Sequence, residues 1–206
     1  MLVAVGEAHL AAALGAGFGM HAVPLARRGA SVTAIDSSAK LLRTLADLAP
    51  DLSIRTVNDN LLRFHEHIDE APSAILCMGD TIAHLPSFGD VEKLLERVAT
   101  GLTPGGVLVL SLRDYSVSRE GDERFIPVKS DAARILTCFL EYEPEAVLVH
   151  DIVHERTTNG WQTRVSHYRK LRLEPERVVA RLASLGLDVR REPGINGMVR
   201  LVARKG

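Results

Sequence analysis

Three glycines near the start of the chain, followed at a distance by a carboxylate, are the residues best placed to do chemistry. Gly15, Gly17 and Gly19 follow an apolar β-rich run, and Asp36 closes the next such run. Glycines at the end of a strand let the backbone approach a ligand, and a helix that starts behind them offers free N–H groups. A carboxylate at the end of the second strand can accept hydrogen bonds from both hydroxyls of a ribose. The pattern therefore predicts a pocket for a nucleotide-like ligand.

The spacing of the glycines bears on which ligand that is. The dinucleotide fingerprint G-x-G-x-x-G would place its third glycine at Met20, whereas the chain has G-x-G-x-G. In the fingerprint that glycine allows close helix packing beside a pyrophosphate. Its absence favours S-adenosylmethionine (SAM), which brings an amino-acid tail and a ribose, over NAD, although Asp36 would suit either. The remaining alternative is a chance glycine-rich turn with an aspartate that caps a helix.

The elements that must position these residues alternate between β-rich runs and helical periodicity, which predicts βαβ units around a parallel sheet. The predicted strands cover residues 9–14, 31–35, 52–57, 73–78, 107–112, 187–192 and 198–204, and the predicted helices include 20–28 and 174–185. Ser37 or Ser38 is expected to cap a further helix, and Asp90 another. Their predicted inward stripes are Leu41, Leu42, Leu45 and Leu48 in the first, and Val91, Leu94, Leu95 and Val98 in the second.

The periodicity changes after Arg113. Residues 114–130 are polar and irregular, and the runs 134–142, 146–156 and 161–173 are typical of three strands. The first of these runs is also compatible with a helix capped by Ser130. The last two are joined by "TTNG", a strong hairpin signal.

Three histidines in those runs are candidate metal ligands. With a two-residue Asn159–Gly160 turn, His154 would face Val165 and His167 would face Ile152, so both would share one face of the sheet with His150. Strand geometry would separate His150 from His154 by about 13 Å, too far for one ion. No metal site is predicted.

Several segments resemble motifs of the class I SAM-dependent methyltransferases. They are "LGAGFG", "AID", "VNDNLLRF" and "LTPGGVLVLS", and more narrowly "ILCMGDTIAHLPS" and "SLRDYS", which resemble segments of glycine N-methyltransferase-like small-molecule methyltransferases. The resemblance implies one α/β domain over residues 1–206. Its core would be a Rossmann-like, seven-stranded, mostly parallel sheet with helices on both faces and an antiparallel last strand. An inserted antiparallel β-sheet at residues 114–172 would cover the substrate.

The resemblance also implies roles for particular residues. Residues implied in cofactor binding are Gly15, Gly17, Gly19, Asp36, Ser37, Asp59, Asn60, Met78, Gly79 and His84. Residues implied in catalysis or substrate binding are Asp80, His84, Arg113 and Tyr115. Asp80 would lie near the transferred methyl group, and Arg113 would pair with a substrate carboxylate through its planar fork. The plainer alternatives are a turn-capping Asp80, a packed His84, and a surface Arg113 beside an anchoring Tyr115.

The function predicted is methyl transfer from SAM to a nitrogen or oxygen nucleophile of a small molecule, including acceptors that carry a carboxylate. The alternatives are a non-catalytic SAM-binding module and an NAD-linked oxidoreductase on a Rossmann sheet. Ala13 supports the non-catalytic alternative, because the family usually has an acidic residue there that helps to bind the amino group of the cofactor.

The composition limits the partners. The chain has 25 Lys and Arg against 26 Asp and Glu, so no net charge attracts nucleic acid or an anionic membrane. Cys77 and Cys138 lie in apolar runs and are expected to be free thiols. The apolar start lacks the basic region of a signal peptide, which predicts a cytoplasmic protein. Because covering helices of the family would precede the printed start, a homo-oligomer that closes the cofactor site is a further expectation.

Overall fold

A seven-stranded sheet and a separate four-stranded sheet organise the described residues, 8–206, of this computed structural model. The strands are β1 (Leu10–Leu14), β2 (Ser31–Asp36), β3 (Ile54–Asn58), β4 (Ala74–Cys77), β5 (Val107–Leu112), β6 (Phe125–Ser130), β7 (Arg134–Tyr142), β8 (Ala146–Thr157), β9 (Gly160–Leu171), β10 (Leu187–Pro193) and β11 (Val199–Lys205). The α-helices are α1 (Ala22–Ala26), α2 (Ala39–Leu48), α3 (Phe88–Gly101) and α4 (Pro175–Ser184). Short 3₁₀ segments cover Leu61–His67 and Thr81–His84. Residues 1–7 of the apolar start lie outside the described part.

The larger sheet has the order β10-β11-β5-β4-β1-β2-β3. Strands β1 to β5 are parallel, and β11 runs antiparallel to both β5 and β10. All residues of β4 and β5 are buried, as expected for central parallel strands covered on both faces. The predicted fold class, a mostly parallel seven-stranded sheet with an antiparallel last strand and a second antiparallel sheet, is confirmed.

Two predicted helix details need correction. Ser87, not Asp90, is the N-cap of α3: its hydroxyl accepts the Asp90 N–H at 3.1 Å and donates to the Asp90 carboxylate at 2.7 Å. This reciprocal pair satisfies a free N–H of the first turn, so the aspartate lies inside the helix that it was expected to precede. In α2, Ser38 is the N-cap, and only Leu42 and Leu45 of the four predicted inward leucines are buried. Leu41 and Leu48 are exposed.

The chain divides into two compact units, and each is described by itself. The first comprises Pro175–Gly206 and the described part of Met1–Arg113, and the second is Asp114–Glu174. The second unit holds an antiparallel sheet in the order β6-β7-β8-β9. The run 134–142 is a strand and not a helix, and β6 occupies part of the segment predicted to be irregular.

The register of the hairpin β8–β9 differs from the predicted one. Thr157 pairs with Gly160, so the turn is Thr158–Asn159. His150 therefore faces His167, with ring centroids 5.8 Å apart, and His154 faces Thr163. The three histidines still share one face of the sheet. Within residues 8–206 no group of three or more His, Cys, Asp or Glu side chains is arranged to hold a metal ion.

Among the residues that the structure describes, no helix combines the length and the apolar character needed to cross a membrane.

Candidate functional site

The loop that carries the three glycines is bonded to the end of β2. The N–H groups of Gly15 and Ala16 donate to the Ile35 carbonyl at 2.9 and 3.0 Å, and the Gly17 N–H donates to Oδ2 of Asp36 at 2.8 Å. A pyrophosphate is held by free N–H groups of such a loop and of the helix behind it. Four of the loop N–H groups already have acceptors, because that of Gly19 also donates to the Ala16 carbonyl at 3.0 Å, and α1 has only five residues. The loop is therefore poorly suited to a dinucleotide.

Asp36 lies half-buried at the carboxyl end of β2. In addition to the Gly17 N–H, it accepts the Ser38 N–H on Oδ1 at 2.8 Å. Each carboxylate oxygen has two lone-pair directions, so each retains one for a ligand. The two backbone bonds fix the orientation of the carboxylate, and a pair of neighbouring hydroxyls is the ligand group that matches the two remaining directions.

A cavity of about 390 Å³ opens at the carboxyl ends of β1, β2 and β4, beside the segment that follows β3. Ligands of open α/β sheets bind at this edge, and the volume lies within the range of about 300–1,000 Å³ for small-molecule sites. The lining residues are Gly15, Asp36, Ser37, Asn60, Leu61, Thr81, His84, Leu85 and Pro86. The structure thus brings together five of the predicted site residues. The first and last of them, Gly15 and His84, are 69 positions apart in the sequence.

Four lining residues were missed from the sequence: Leu61, Thr81, Leu85 and Pro86. Each lies within two positions of a predicted residue, and three of them lie in the quoted segment "ILCMGDTIAHLPS". The signal was therefore present, but apolar lining residues have no reactive group to single them out.

Gly15 and Gly19 are required for close packing around the cavity. A Cβ on Gly15 would lie 2.3 Å from Thr81 Cγ2, and a Cβ on Gly19 would lie 2.2 Å from Leu45 Cδ1. Both residues have positive φ, as does Gly17, whose Cβ position is open. The absence of a side chain at Gly19 thus allows Leu45 of helix α2 to pack against the loop. Gly19 does not, however, occupy the position of the third glycine in the dinucleotide fingerprint.

The segment after β3 contributes Asn60 and Leu61 to the cavity. The Asp59 carboxylate, the residue before them, accepts the Asn60 N–H on Oδ1 at 2.7 Å and contacts His67 Nε2 through Oδ2 at 2.7 Å. Arg63 Nη1 lies 3.4 Å from the same Oδ2. Asp59 itself is not among the residues that line the cavity. The hydrogen bond with His67, followed by the one from the Asn60 N–H, lowers the pKa of the Asp59 carboxyl.

Asp80 joins the ends of β4 and β5. Its backbone N–H donates to the Ser111 carbonyl at 3.0 Å, and its Oδ1 accepts the Arg113 N–H at 2.9 Å. The neighbouring Gly79 N–H donates to Ser111 Oγ at 2.8 Å. Asp80 is 1% exposed and adopts a left-handed φ of 68°, a conformation that is uncommon outside glycine and frequent near functional sites. Below it, burial raises the pKa of the Cys77 thiol to about 12.

The other predicted site residues have separate surroundings within their own units. Met78 packs against the apolar core, and its carbonyl accepts the Thr81 hydroxyl at 2.7 Å. Arg113 donates through Nη1 to the Asn196 carbonyl, at 2.9 Å, in the loop between β10 and β11. Tyr115 lies in the second unit, buried with Leu140 and Val149. Ala13 is buried in β1 and 3% exposed, so β1 contributes no acidic side chain at that position.

Comparison with known proteins finds similar sequences for part of the chain. Residues 11–106 match a family model described as "Methyltransferase domain". The chain is 33% identical over 110 residues to a glycine/sarcosine N-methyltransferase of Aphanothece halophytica, a match that covers 52% of this chain and 41% of the relative. It is 30% identical over 112 residues to the glycine N-methyltransferase of Rattus norvegicus, covering 48% and 38%. The chain thus spans about two fifths of the length of these curated relatives.

Solved structures show the same fold over nearly the whole chain. The CcbJ methyltransferase of Streptomyces caelestis superposes with a TM-score of 0.83 at 20% identity, covering 99% of this chain and 92% of that one. CalS10, an amino pentose methyltransferase of Micromonospora echinaspora solved with SAM bound, superposes with a TM-score of 0.78 at 18% identity, covering 99% and 86%. The resemblance seen in the sequence is confirmed: the chain has the class I methyltransferase fold, and its first half carries the methyltransferase-domain sequence.

Proposed function

We propose that the protein binds SAM in the cavity between Gly15 and Pro86 and transfers its methyl group to a small molecule. The observation that carries this proposal is Asp36, whose two oxygens are oriented by the Gly17 and Ser38 N–H groups at the cavity wall. The adenine would lie against Asn60 and Leu61, the ribose hydroxyls against Asp36, and the methionine end against Gly15 and Thr81. Asn60 and Leu61 offer a polar edge and an apolar surface to the adenine, the Asp36 carboxylate suits the ribose hydroxyls, and the small Gly15 leaves room for the methionine end.

When bound, SAM supplies an activated methyl group, so the protein mainly aligns the reactants and excludes water. The bond from Thr81 Oγ1 to the Met78 carbonyl and the bonds of Asp80 to Ser111 and Arg113 hold the β4 and β5 ends in fixed positions. We propose that Asp80 acts through this fixed geometry, since it is almost fully buried. His84, which lines the cavity and is exposed, is the proposed group to accept a proton from the acceptor.

Calorimetric titration with S-adenosylhomocysteine (SAH) tests the cofactor. We expect micromolar binding by the wild type and at least a tenfold loss in Asp36→Ala, because two ribose hydrogen bonds to a charged group are removed. Asp188→Ala, on the edge strand β10, is the matched control and should bind as the wild type does. Absence of SAH binding by the wild type at high micromolar concentration would contradict the proposal. Binding of NADH in preference to SAH would favour the oxidoreductase.

The acceptor is proposed to present an amine or hydroxyl. The relatives are named for glycine, sarcosine and an amino pentose, so these compounds form the first panel. Methyl-labelled SAM, followed by fragmentation of each product in the mass spectrometer, locates the label on nitrogen or on oxygen. For an acceptor with a carboxylate, Arg113 is the proposed partner, because only one of its N–H groups is assigned to the Asn196 carbonyl. Arg113→Ala should then raise the KM of that acceptor about tenfold or more and leave SAH affinity unchanged.

The second unit, Asp114–Glu174, is proposed to act as the acceptor cover, and Tyr115 to support it from within its core. Amide hydrogen exchange, measured with and without an acceptor that the protein is found to methylate, tests this role. We expect slower exchange of amides within residues 114–174 when the acceptor is present. Unchanged exchange throughout that unit would remove it from acceptor binding.

Ala13 favours a second candidate, a SAM-binding module without turnover. The buried methyl group of Ala13 leaves the amino group of the cofactor without the carboxylate that the family usually supplies from β1. Tight SAH binding together with no labelled product from any acceptor would support this candidate.

A further inference from the structure

A cluster of charged side chains next to the cavity lining surrounds Asp59. His67 ends the 3₁₀ segment Leu61–His67, whereas Asp59 lies just before that segment begins. The 2.7 Å contact between His67 Nε2 and Asp59 Oδ2 therefore links residues eight positions apart, and the two cavity residues Asn60 and Leu61 lie between them. Both side chains are largely shielded from solvent, with exposed fractions of 27% for His67 and 19% for Asp59.

We propose that His67 is a positioning residue for the adenine side of the cavity, and that it acts through Asp59. This inference rests on the proposed SAM function. His67 holds Oδ2 of Asp59, which directs Oδ1 to the Asn60 N–H at 2.7 Å. The Asn60 side chain in turn accepts the Leu62 N–H at 2.9 Å, so the backbone that borders the cavity is fixed by consecutive hydrogen bonds.

The surrounding groups support the position of His67. Arg55, on β3, donates to the His67 carbonyl and lies 3.8 Å from Asp69. On the other side, Arg63 approaches Asp59 and is paired with Glu66 at 2.6 Å. Phe64, which is 1% exposed, anchors the middle of the segment in the core. His67 is thus held through both its backbone carbonyl and its ring. The Asp59 carboxylate cannot rotate without losing a hydrogen bond.

His67 orders the adenine side of the cavity before the ligand binds and takes no part in the chemical step. Without the imidazole, Asp59 keeps the bond from Asn60 and the more distant Arg63, and its carboxylate gains rotational freedom. One ordered hydrogen bond makes a modest net contribution, because water replaces part of it when it is lost. We therefore expect His67→Ala to weaken SAH and adenosine binding about threefold to tenfold, to raise the KM of SAM by a similar factor, and to leave kcat unchanged.

Conservative and matched variants separate positioning from general stability. His67→Gln keeps an N–H donor and should recover most of the affinity. His65→Ala removes an exposed histidine from the same segment and should bind SAH as the wild type does. In an Asp59→Ala background, adding His67→Ala should cause no further loss. Equal SAH affinity in the wild type and His67→Ala, or full additivity of the two substitutions, would overturn the proposal.

Amide hydrogen exchange of the ligand-free protein distinguishes this failure from failure of the proposed function. We expect the Asn60 and Leu62 amides to exchange several-fold faster in His67→Ala than in the wild type or in His65→Ala. If the wild type binds no SAH, the SAM function fails, and with it the assignment of His67 to an adenine site. Faster exchange would then show only that the loop order is real, whereas unchanged exchange would contradict the positioning role as well.

Discussion

Substitution of Gly15 by alanine tests whether the cavity wall is built on close contact between the glycine loop and Thr81. Gly15 has φ +67°, and an added Cβ would lie 2.3 Å from Thr81 Cγ2 and 2.6 Å from Thr81 Oγ1. Gly17 is the matched control, because it has φ +54° and nothing within 4 Å of its Cβ position. The two substitutions share the backbone cost and differ only in the steric contact.

The magnitudes follow from these contacts. A left-handed conformation costs an L-residue about 1–2 kcal/mol, which is the expected loss of unfolding free energy in Gly17→Ala. In Gly15→Ala the Thr81 side chain must also move, which breaks its 2.7 Å bond to the Met78 carbonyl. Overpacking of this kind costs about 1–3 kcal/mol. We therefore expect Gly15→Ala to be about 1–3 kcal/mol less stable than Gly17→Ala.

Urea unfolding of the two variants measures the difference, with equal m values as the condition for comparing midpoints. Adding Thr81→Ala removes Cγ2 and Oγ1 and should bring the cost of Gly15→Ala close to that of Gly17→Ala. Equal stabilities of the two single variants would refute the reasoning, because the contact with Thr81 would then have no energetic consequence.

Three further predictions concern other parts of the chain. Ser87→Ala should lower the free energy of unfolding by about 1 kcal/mol, because α3 loses its N-cap. The Ser87 hydroxyl, and after it Lys93, lower the pKa of the Asp90 carboxyl in the folded protein. The stabilisation from this carboxylate is therefore fully present above the unfolded pKa of about 3.9 and is lost as the pH falls through the lower folded pKa. Urea midpoints at pH 7 and pH 2.5 should accordingly show a smaller effect of Ser87→Ala in acid. Cys77, with a pKa raised to about 12 by burial, should resist thiol labelling at pH 8 until the protein unfolds, whereas half-buried Cys138 should label first, as peptide mapping would show. Arg172→Leu should speed amide exchange within the second unit, because its guanidinium donates to the carbonyls of Tyr115, Ser116 and Glu143; exchange as slow as in the wild type would contradict this role.

The elements of the larger sheet could be predicted because their physical signals are local. The residues of β4 and β5 are all buried and, apart from Ser111, apolar. The order of strand, glycine loop, helix and strand fixes the neighbours of β1. Strand β6 had no such signal. It lies at the edge of the smaller sheet, four of its last five residues are exposed, and a bulge follows Pro127. An exposed edge strand has neither the apolar run nor the alternation that identifies a strand.

The hairpin register shows why a correct motif can still place residues wrongly. "TTNG" does form the turn, but the Thr157 hydroxyl accepts the Asn159 N–H at 3.2 Å and donates to the Gly160 carbonyl at 2.8 Å. These bonds favour a turn at Thr158–Asn159 and leave Gly160, with φ +101°, as the first residue of β9. The predicted turn lay one residue later, which shifts every cross-strand partner by two positions. The histidines kept their common face because a shift of two preserves the alternation of a strand.

The glycine loop and Asp36 show that the sequence locates the site but does not reveal the hydrogen bonds within it. From the sequence, Asp36 and the loop N–H groups were both interpreted as groups that face a ligand. In the structure they first bind one another: the Gly17 N–H and the Asp36 carboxylate form one bond, and the Gly15 and Ala16 N–H groups bind the end of β2. A carboxylate fixed in this way can present its remaining lone pairs in set directions, whereas a free one would lose entropy on binding. The same bond that holds the loop in place therefore orients the group that is proposed to bind the sugar. For this reason Asp36→Asn, which can keep the Gly17 bond through its amide oxygen, should preserve stability better than Asp36→Ala while still weakening SAH binding, and equal losses of stability in the two variants would show that the bond does not hold the loop.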